Sequence, residues 1–386
     1  MDTITSTAYT GPVHRTKVPG PEPPQTKSVR ECMLANLNGQ TLCVPDISKL
    51  MQGWPQDLSP HASAIDARVL QMIQTHAVTP SVRKRLNNAR LSEQLAGWYP
   101  WASPERLQAL TSFQVWMFIV DDEIDQCSTP TSFDAKRFQV LTDECQDFVE
   151  RSLGLRQGGT EGVNYVNYDV VTSFADFAKS LSSSCTEAYR RRIAHEAWVT
   201  LEGYRREAEL RAQGVFPTEE QYLAYRYGSS CIGQVNEMLE FANGMEDNPP
   251  EISESPEMRE LYRASVTVTW LVNDMVSVRK ELRGGFLENL VVILAEGDVG
   301  KGMQRSWECL KKEVSALTVA HEAALKRFKN TPYGEKVKVL AENCLNLNLR
   351  TWLWSTKTPR YGLFDLVPDA NGAYTCTVTV DALGSN

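Results

Sequence analysis

The chain has 386 residues, 42% of them hydrophobic and 23% charged, which is enough apolar material for a large buried core. Its formal net charge of -8 excludes a general nucleic-acid binder, which needs a basic face. Nine cysteines are scattered without a CxxC pair and five histidines lie far apart, so the composition excludes a zinc site and reads as reduced thiols in a cytosolic protein.

Residues 1–44 read as a flexible leader: five prolines fall within the first 30 positions, and no apolar stretch marks a secretory signal. Helical patterning begins near residue 45. In HASAIDARVLQMIQTHAV (61–78), Ile65, Val69, Leu70, Ile73 and Val78 recur at helix-like intervals. Ser103-Pro104-Glu105 reads as an N-cap followed by proline in the first helical position, opening RLQALTSFQVWMFIVDDEID. Prolines and glycines then delimit helices near 134–153, 170–212, 218–243, 255–283, 286–296, 299–328 and 333–356.

The Gly-rich stretch 153–169 and the segment DNPPEISESPE (247–257) read as surface loops, and AYTCTVTV (373–380) alternates as a strand does. The longest apolar run, Leu290 to Ala295, is far too short to span a bilayer. One all-α domain over residues 45–361, followed by a tail at 362–386, is the economical organisation.

Three constellations carry chemistry. The first is Asp121-Asp122-Glu123-Ile124-Asp125, at the end of the apolar run Val115–Val120. On a helix, Asp121 and Asp125 share a face, and Phe113, Met117 and Phe118 lie on or near it toward the N-terminus. Carboxylates that continue an apolar stripe need a partner, and a divalent cation is one. Alone, the segment is equally compatible with a helix end whose acids meet solvent.

The second is Asn273-Asp274-Met275-Val276-Ser277-Val278-Arg279-Lys280-Glu281. Asn273, Ser277 and Glu281 stand at i, i+4 and i+8, so an amide oxygen, a hydroxyl and a carboxylate line one stripe of a helix. All three are hard oxygen donors suited to Mg²⁺, and polar residues inside so apolar a helix are poor choices unless something uses them. The third is Arg360-Tyr361, where a forked guanidinium and a phenol offer donors to a phosphate.

In this order, the three features resemble the class I terpene cyclases, particularly the fungal and bacterial sesquiterpene cyclases. DDEID matches the family's aspartate-rich motif, NDMVSVRKE matches its NDxxSxxxE motif in full, and Arg360-Tyr361 matches its RY pair. The resemblance covers roughly residues 60–361 and implies a single helical bundle enclosing an active-site cup. It implies that Asp121 and Asp125 hold magnesium from one rim while Asn273, Ser277 and Glu281 hold it from the other. Three Mg²⁺ ions are expected, with Mn²⁺ as a substitute.

By the same resemblance, Arg226, which lies 47 residues before Asn273, senses the diphosphate, and Lys280, Arg360 and Tyr361 donate to it. Ser229 and Ser230 stand where the family breaks the helix after that arginine. Phe113, Phe118 and Trp270 are candidates for the aromatic wall by helical phase, with Trp352 and Trp354 behind them. Aromatic residues at such spacing also serve as plain core. The implied reaction is ionisation of farnesyl diphosphate and cyclisation of the cation by a cytosolic monomer or homodimer. Geranyl or geranylgeranyl diphosphate as substrate, and a chain-elongating prenyltransferase, are the alternatives.

Overall fold

The structure, a computed structural model, describes residues 27–77, 79–127 and 133–381. Residues 27–44 depart from the flexible leader expected of them. They form α1 (Lys27–Leu37) and β1 (Thr41–Val44). The cause is a short amphipathic stripe hidden behind the prolines: Arg30, Leu34 and Leu37 recur at helical spacing and are buried. In β1 the alternation buries Leu42 and Val44 completely.

A short 3-10 turn (Ile47–Met51), capped by Asp46, leads to α2 (Ala62–His76), α3 (Pro80–Asn87) and α4 (Leu91–Trp98). On α2 the expected stripe holds for Ile65, Val69 and Ile73, but Leu70 is 53% exposed and Met72 is buried in its place. Val78 lies outside the described residues. The helix α5 (Pro104–Cys127) opens as its sequence requires, with Pro104 first and Ser103 Oγ accepting from the Arg106 amide at 3.4 Å.

After α6 (Ala135–Ser152) comes the Gly-rich loop, then α7 (Tyr168–Thr172), α8 (Ala175–Ser184) and α9 (Glu187–Ala212). The single helix expected over 170–212 is thus three. Cys185 is extended, and the Thr186 side chain caps α9 by accepting from the Tyr189 amide. The stretch 218–243 is likewise divided, into α10 (Glu219–Ser229) and α11 (Ile232–Ala242), with Cys231 in the left-handed region at φ 62°. A four-residue α12 (Pro250–Ser253) precedes α13 (Pro256–Gly284), and α14 (Leu290–Ile293), α15 (Val299–Phe328) and α16 (Gly334–Ser355) complete the helices.

Buried on most of its circumference, α13 is the axis of the bundle, packed against α11, α15 and α16. Asparagines on α16 join it to the C-terminal end of α4: Asn343 Nδ2 donates to the Trp98 carbonyl at 2.8 Å and Asn346 Nδ2 to that of Gly97 at 2.7 Å. The two buried side chains satisfy helix-end carbonyls that would otherwise lack partners.

The tail also folds back. Its strand β2 (Tyr374–Thr377) pairs antiparallel with β1 in the register Leu42↔Cys376, so the two ends of the described chain are hydrogen-bonded together. One continuous apolar core runs from Leu34 to Val380. Among the described residues, no helix is long and apolar enough to cross a membrane.

Candidate active site

At one end of the bundle, α5, α9, α10, α11, α13 and α16 surround a cavity of about 720 Å³. Apolar side chains form its wall, and oxygen and guanidinium groups gather at its rim. The aspartate-rich segment supplies one side of that rim. Asp121 Oδ1 accepts from the Tyr204 hydroxyl at 2.9 Å, and its Oδ2 accepts from Arg360 Nη2 at 3.2 Å. Asp122 is buried and forms ion pairs with Arg85 at 3.3 Å and Arg360 at 3.8 Å. Glu123 turns to Arg137 at 2.7 Å. Asp125 is in the last turn of α5, and its side chain lies outside the described residues.

The opposite side of the rim is α13. Asn273, Ser277 and Glu281 all reach the cavity, as a stripe spaced by four residues must. Asn273 accepts from Arg226 Nη2 at 3.0 Å through Oδ1, and its Nδ2 donates to the Tyr361 hydroxyl at 3.0 Å. Asn289 Nδ2 donates to Glu281 Oε2 at 2.7 Å and lies 3.4 Å from Ser277 Oγ.

Asp274 is about 100° further round the helix and is buried away from the cavity. It accepts from the Tyr222 hydroxyl at 2.6 Å, the Leu290 amide at 3.1 Å, and Arg226 through Nη2 at 2.6 Å and Nε at 3.1 Å. Adjacent residues of one motif therefore divide the work: Asn273 faces the cavity, and Asp274 holds the arginine that faces it. Lys280, Arg360 and Tyr361 also line the cavity, so the four expected diphosphate donors converge on one mouth.

The donor set suits magnesium. Asn273, Ser277 and Glu281 offer only oxygen, and burial pushes the Glu281 carboxyl above its ordinary range despite the neighbouring Lys280. A half-buried carboxylate whose desolvation outweighs its neighbouring cation is a fitting dication ligand. Among the described residues, no three His, Cys, Asp or Glu side chains converge on a point, so the amide and hydroxyl are needed to complete an α13 site.

Three groups at the rim have no signal in the local motifs. Tyr204 on α9 and Arg85 on α3 reach Asp121 and Asp122 from distant parts of the chain. Beyond α13, Glu288 is enclosed by Arg30 at 2.7 Å and Arg211 at 3.5 Å. Burial alone would raise its carboxyl; the two guanidiniums and the Arg30 hydrogen bonds overcome that and hold it at about 2. Arg30 thereby pins α1 to the residue pair that leads into α14.

Phe118 and Trp270 line the cavity, joined by Met117, Ile232 and Trp354, and Ser230 sits at the α10–α11 break. Phe113 does not line it. Its ring packs outward, 5.3 Å from Phe177 of α8 and 6.3 Å from Trp116. Both flanks of α5 are buried, so helical phase identifies an apolar side without telling which one faces the cavity. Trp352 also lies elsewhere, 6.2 Å from the Tyr374 ring of β2, while Trp354 sits 6.5 Å from Phe118.

Residues 112–317 match the profile of terpene synthase family 2, C-terminal metal binding. The chain is 25% identical over 358 residues to the sesquiterpene cyclase hepA of Aspergillus oryzae, covering 89% of this chain and 95% of that protein. It is 22% identical over 323 residues to the farnesyl diphosphate-cyclizing (+)-T-muurolol synthase of Roseiflexus castenholzii, covering 81% and 93%. Among solved structures, the linalool/nerolidol synthase of Streptomyces clavuligerus superposes with a TM-score of 0.67 at 17% identity, over 80% of this chain and 98% of that one, which is a likeness of fold.

Proposed function

We infer, from the premise that the chain belongs to the class I terpene cyclases of terpene synthase family 2, that it cyclises farnesyl diphosphate in a magnesium-dependent reaction and releases diphosphate. The observation that carries this reading is the pairing of two oxygen-bearing rims, Asp121 on α5 and Asn273, Ser277 and Glu281 on α13, across one apolar cavity. The choice of a fifteen-carbon substrate rests on the relatives, among them a sesquiterpene cyclase and a farnesyl diphosphate-cyclizing synthase.

Asp121, with Asn273, Ser277 and Glu281, would hold the magnesium ions. Bound there, Mg²⁺ supplies Lewis-acid stabilisation of the leaving diphosphate. The protein's own share is electrostatic and steric. Arg226, Lys280, Arg360 and Tyr361 direct fixed donors at the diphosphate, so negative charge that develops as the C–O bond breaks meets donors already in place. Asp274 and Tyr222 hold the Arg226 guanidinium from behind, which limits its reorganisation.

Below the rim, Phe118, Trp270 and Trp354 face the prenyl chain. Their rings stabilise a passing cation through the quadrupole and exclude water that would quench it. With Arg226, Lys280, Arg360 and Tyr361 gathered on one diphosphate at the mouth, the arrangement favours attack on the cation by the double bonds of its own chain over condensation with a second prenyl diphosphate.

A paired incubation with farnesyl diphosphate, with and without radiolabelled isopentenyl diphosphate, tests the reading against chain elongation. Cyclic hydrocarbons or alcohols in both tubes, with no label in a longer prenyl diphosphate, is the expected result. Label in a longer diphosphate with no cyclic product would assign the chain to prenyl transfer.

A further inference from the structure

Helix α9 crosses α10 at very short range. A Cβ added at Gly203 would stand 2.3 Å from the Ser229 backbone nitrogen, and one at Gly228 would stand 2.4 Å from the Val199 carbonyl oxygen. Only glycine at both positions permits that approach. It fixes Tyr204, the next residue of α9, against the segment where α10 ends and α11 begins. There the hydroxyl of Tyr204 lies 2.9 Å from Asp121 Oδ1 and 2.9 Å from Cys231 Sγ. A phenol has one proton, and a carboxylate accepts only. With the phenol proton given to Asp121, the thiol is left to donate to the phenol oxygen, so the bonds run one way, from Cys231 through Tyr204 to Asp121.

The last link is unusual backbone. Cys231 is a non-glycine residue at φ 62°, a strained conformation that persists only where the surrounding structure imposes it. It directly follows Ser230, whose Oγ donates to the Tyr227 carbonyl at 2.8 Å and lies 3.3 Å from the Ile232 amide. The helix that ends at this break carries Arg226, which is bonded to Asn273 on the far rim.

We propose that Tyr204 is a positioning residue for the metal-binding rim, orienting the Asp121 carboxylate and tying it to the α10–α11 break that carries Cys231. The proposal rests on the cyclase reading above. Its chemistry differs from that of Arg360, which sits on the other oxygen of the same carboxylate. A guanidinium competes with an incoming dication by charge. A neutral hydroxyl occupies one lone pair of Oδ1 and leaves the second available, so Tyr204 holds the ligand in place without opposing the metal.

The test reads metal binding apart from turnover. Melting temperature is followed as Mg²⁺ is titrated into the full chain in the presence of inorganic pyrophosphate, for the parent, Tyr204→Phe, Cys231→Ala and Cys231→Ser. Tyr204→Phe keeps the ring, and its half-saturating Mg²⁺ concentration is expected to rise about tenfold, as for lost partners of metal ligands elsewhere. The KM for magnesium in turnover should rise with it, while kcat at saturating metal falls far less. Cys231→Ala should shift the titration in the same direction by a smaller factor, and Cys231→Ser, which restores a donor, should move it back toward the parent.

A Tyr204→Phe titration that overlays the parent would overturn the proposal. If that variant fails to fold, coincident curves for Cys231→Ala and Cys231→Ser would do so. A parent that shows no magnesium-dependent stabilisation by pyrophosphate would instead overturn the cyclase reading beneath it.

Discussion

Arg360 Nη2 lies 3.2 Å from Oδ2 of Asp121, an expected diphosphate donor resting on an expected metal ligand. The same guanidinium is 3.8 Å from Asp122 and stands over the Phe118 ring at 5.0 Å. Opposite charges at the rim thus compensate one another in the protein alone. A dication and a diphosphate arriving together provide each with a new partner, so the exchange keeps every charge paired.

Replacing Arg360 with glutamine separates the two halves of that exchange. Asp121 loses a cationic competitor, so Mn²⁺ alone should bind more tightly in Arg360→Gln. Inorganic pyrophosphate with saturating Mg²⁺ should bind more weakly, by about tenfold or more, because a charge-assisted donor is gone. Calorimetry on the purified variant measures both affinities. A change of the same sign in both would contradict the pairing.

Arg226 makes three hydrogen bonds through two nitrogens, to Asn273 and Asp274, with a geometry that only a fork supplies. Arg226→Lys keeps the charge and loses the fork. Turnover of farnesyl diphosphate is expected to fall by about 10- to 100-fold, the equivalent of one charge-assisted hydrogen bond, with an unchanged far-ultraviolet spectrum. Parental turnover in that variant would assign the diphosphate-sensing role to a different arginine.

Much of this arrangement is legible in the sequence. The four-residue spacing of Asn273, Ser277 and Glu281 admits only one face of one helix, and the cap at Ser103 follows from local chemistry. What stayed hidden depends on packing between distant segments. Tyr204 and Arg85 reach the aspartates from α9 and α3, and nothing near either residue announces it. Phe113 packs against Phe177 instead of the cavity, which helical phase does not reveal because α5 is buried on both flanks. The leader concealed α1 for a related reason: eleven residues with a weak apolar stripe are held as a helix by distant partners, Leu34 and Leu37 in the core and Arg30 on Glu288.

That ion pair has a pH signature. Glu288 is held at about 2 in the folded chain, below the ~4.3 of an exposed glutamate. A depressed carboxyl contributes stability that is fully present above its unfolded value and is lost as pH falls through the folded one. The parent should therefore lose this increment between about pH 4.3 and 2. Glu288→Gln leaves Arg30 and Arg211 without their anion and should cost about 3–5 kcal/mol at neutral pH. Urea unfolding of both proteins from pH 7 to pH 3 should show the gap narrowing as pH falls. A constant gap would mean that the Glu288 charge carries none of it.

The wall residues should control the fate of the cation more than its formation. Trp270→Leu and Phe118→Leu remove quadrupoles and open space beside the prenyl chain while keeping every metal-binding and diphosphate-donor side chain, although Phe118→Leu also removes the ring beneath Arg360. Gas chromatography of the products should show a larger share of acyclic or singly cyclised terpenes, with diphosphate release reduced much less than cyclisation. Phe113→Leu, against Phe177 and outside the cavity, should lower stability by roughly 1 kcal/mol without altering the product ratios. An altered product profile in Phe113→Leu, with none in the other two, would reverse the assignment of the wall.

The most direct measurement is incubation of the full chain with farnesyl diphosphate in Mg²⁺, and again after exhaustive chelation, with volatile products identified by gas chromatography and free diphosphate quantified. Cyclic fifteen-carbon products with equimolar diphosphate in the first tube, and neither in the second, is the predicted result. Undiminished turnover after chelation, or farnesyl diphosphate recovered intact with magnesium present, would contradict the account.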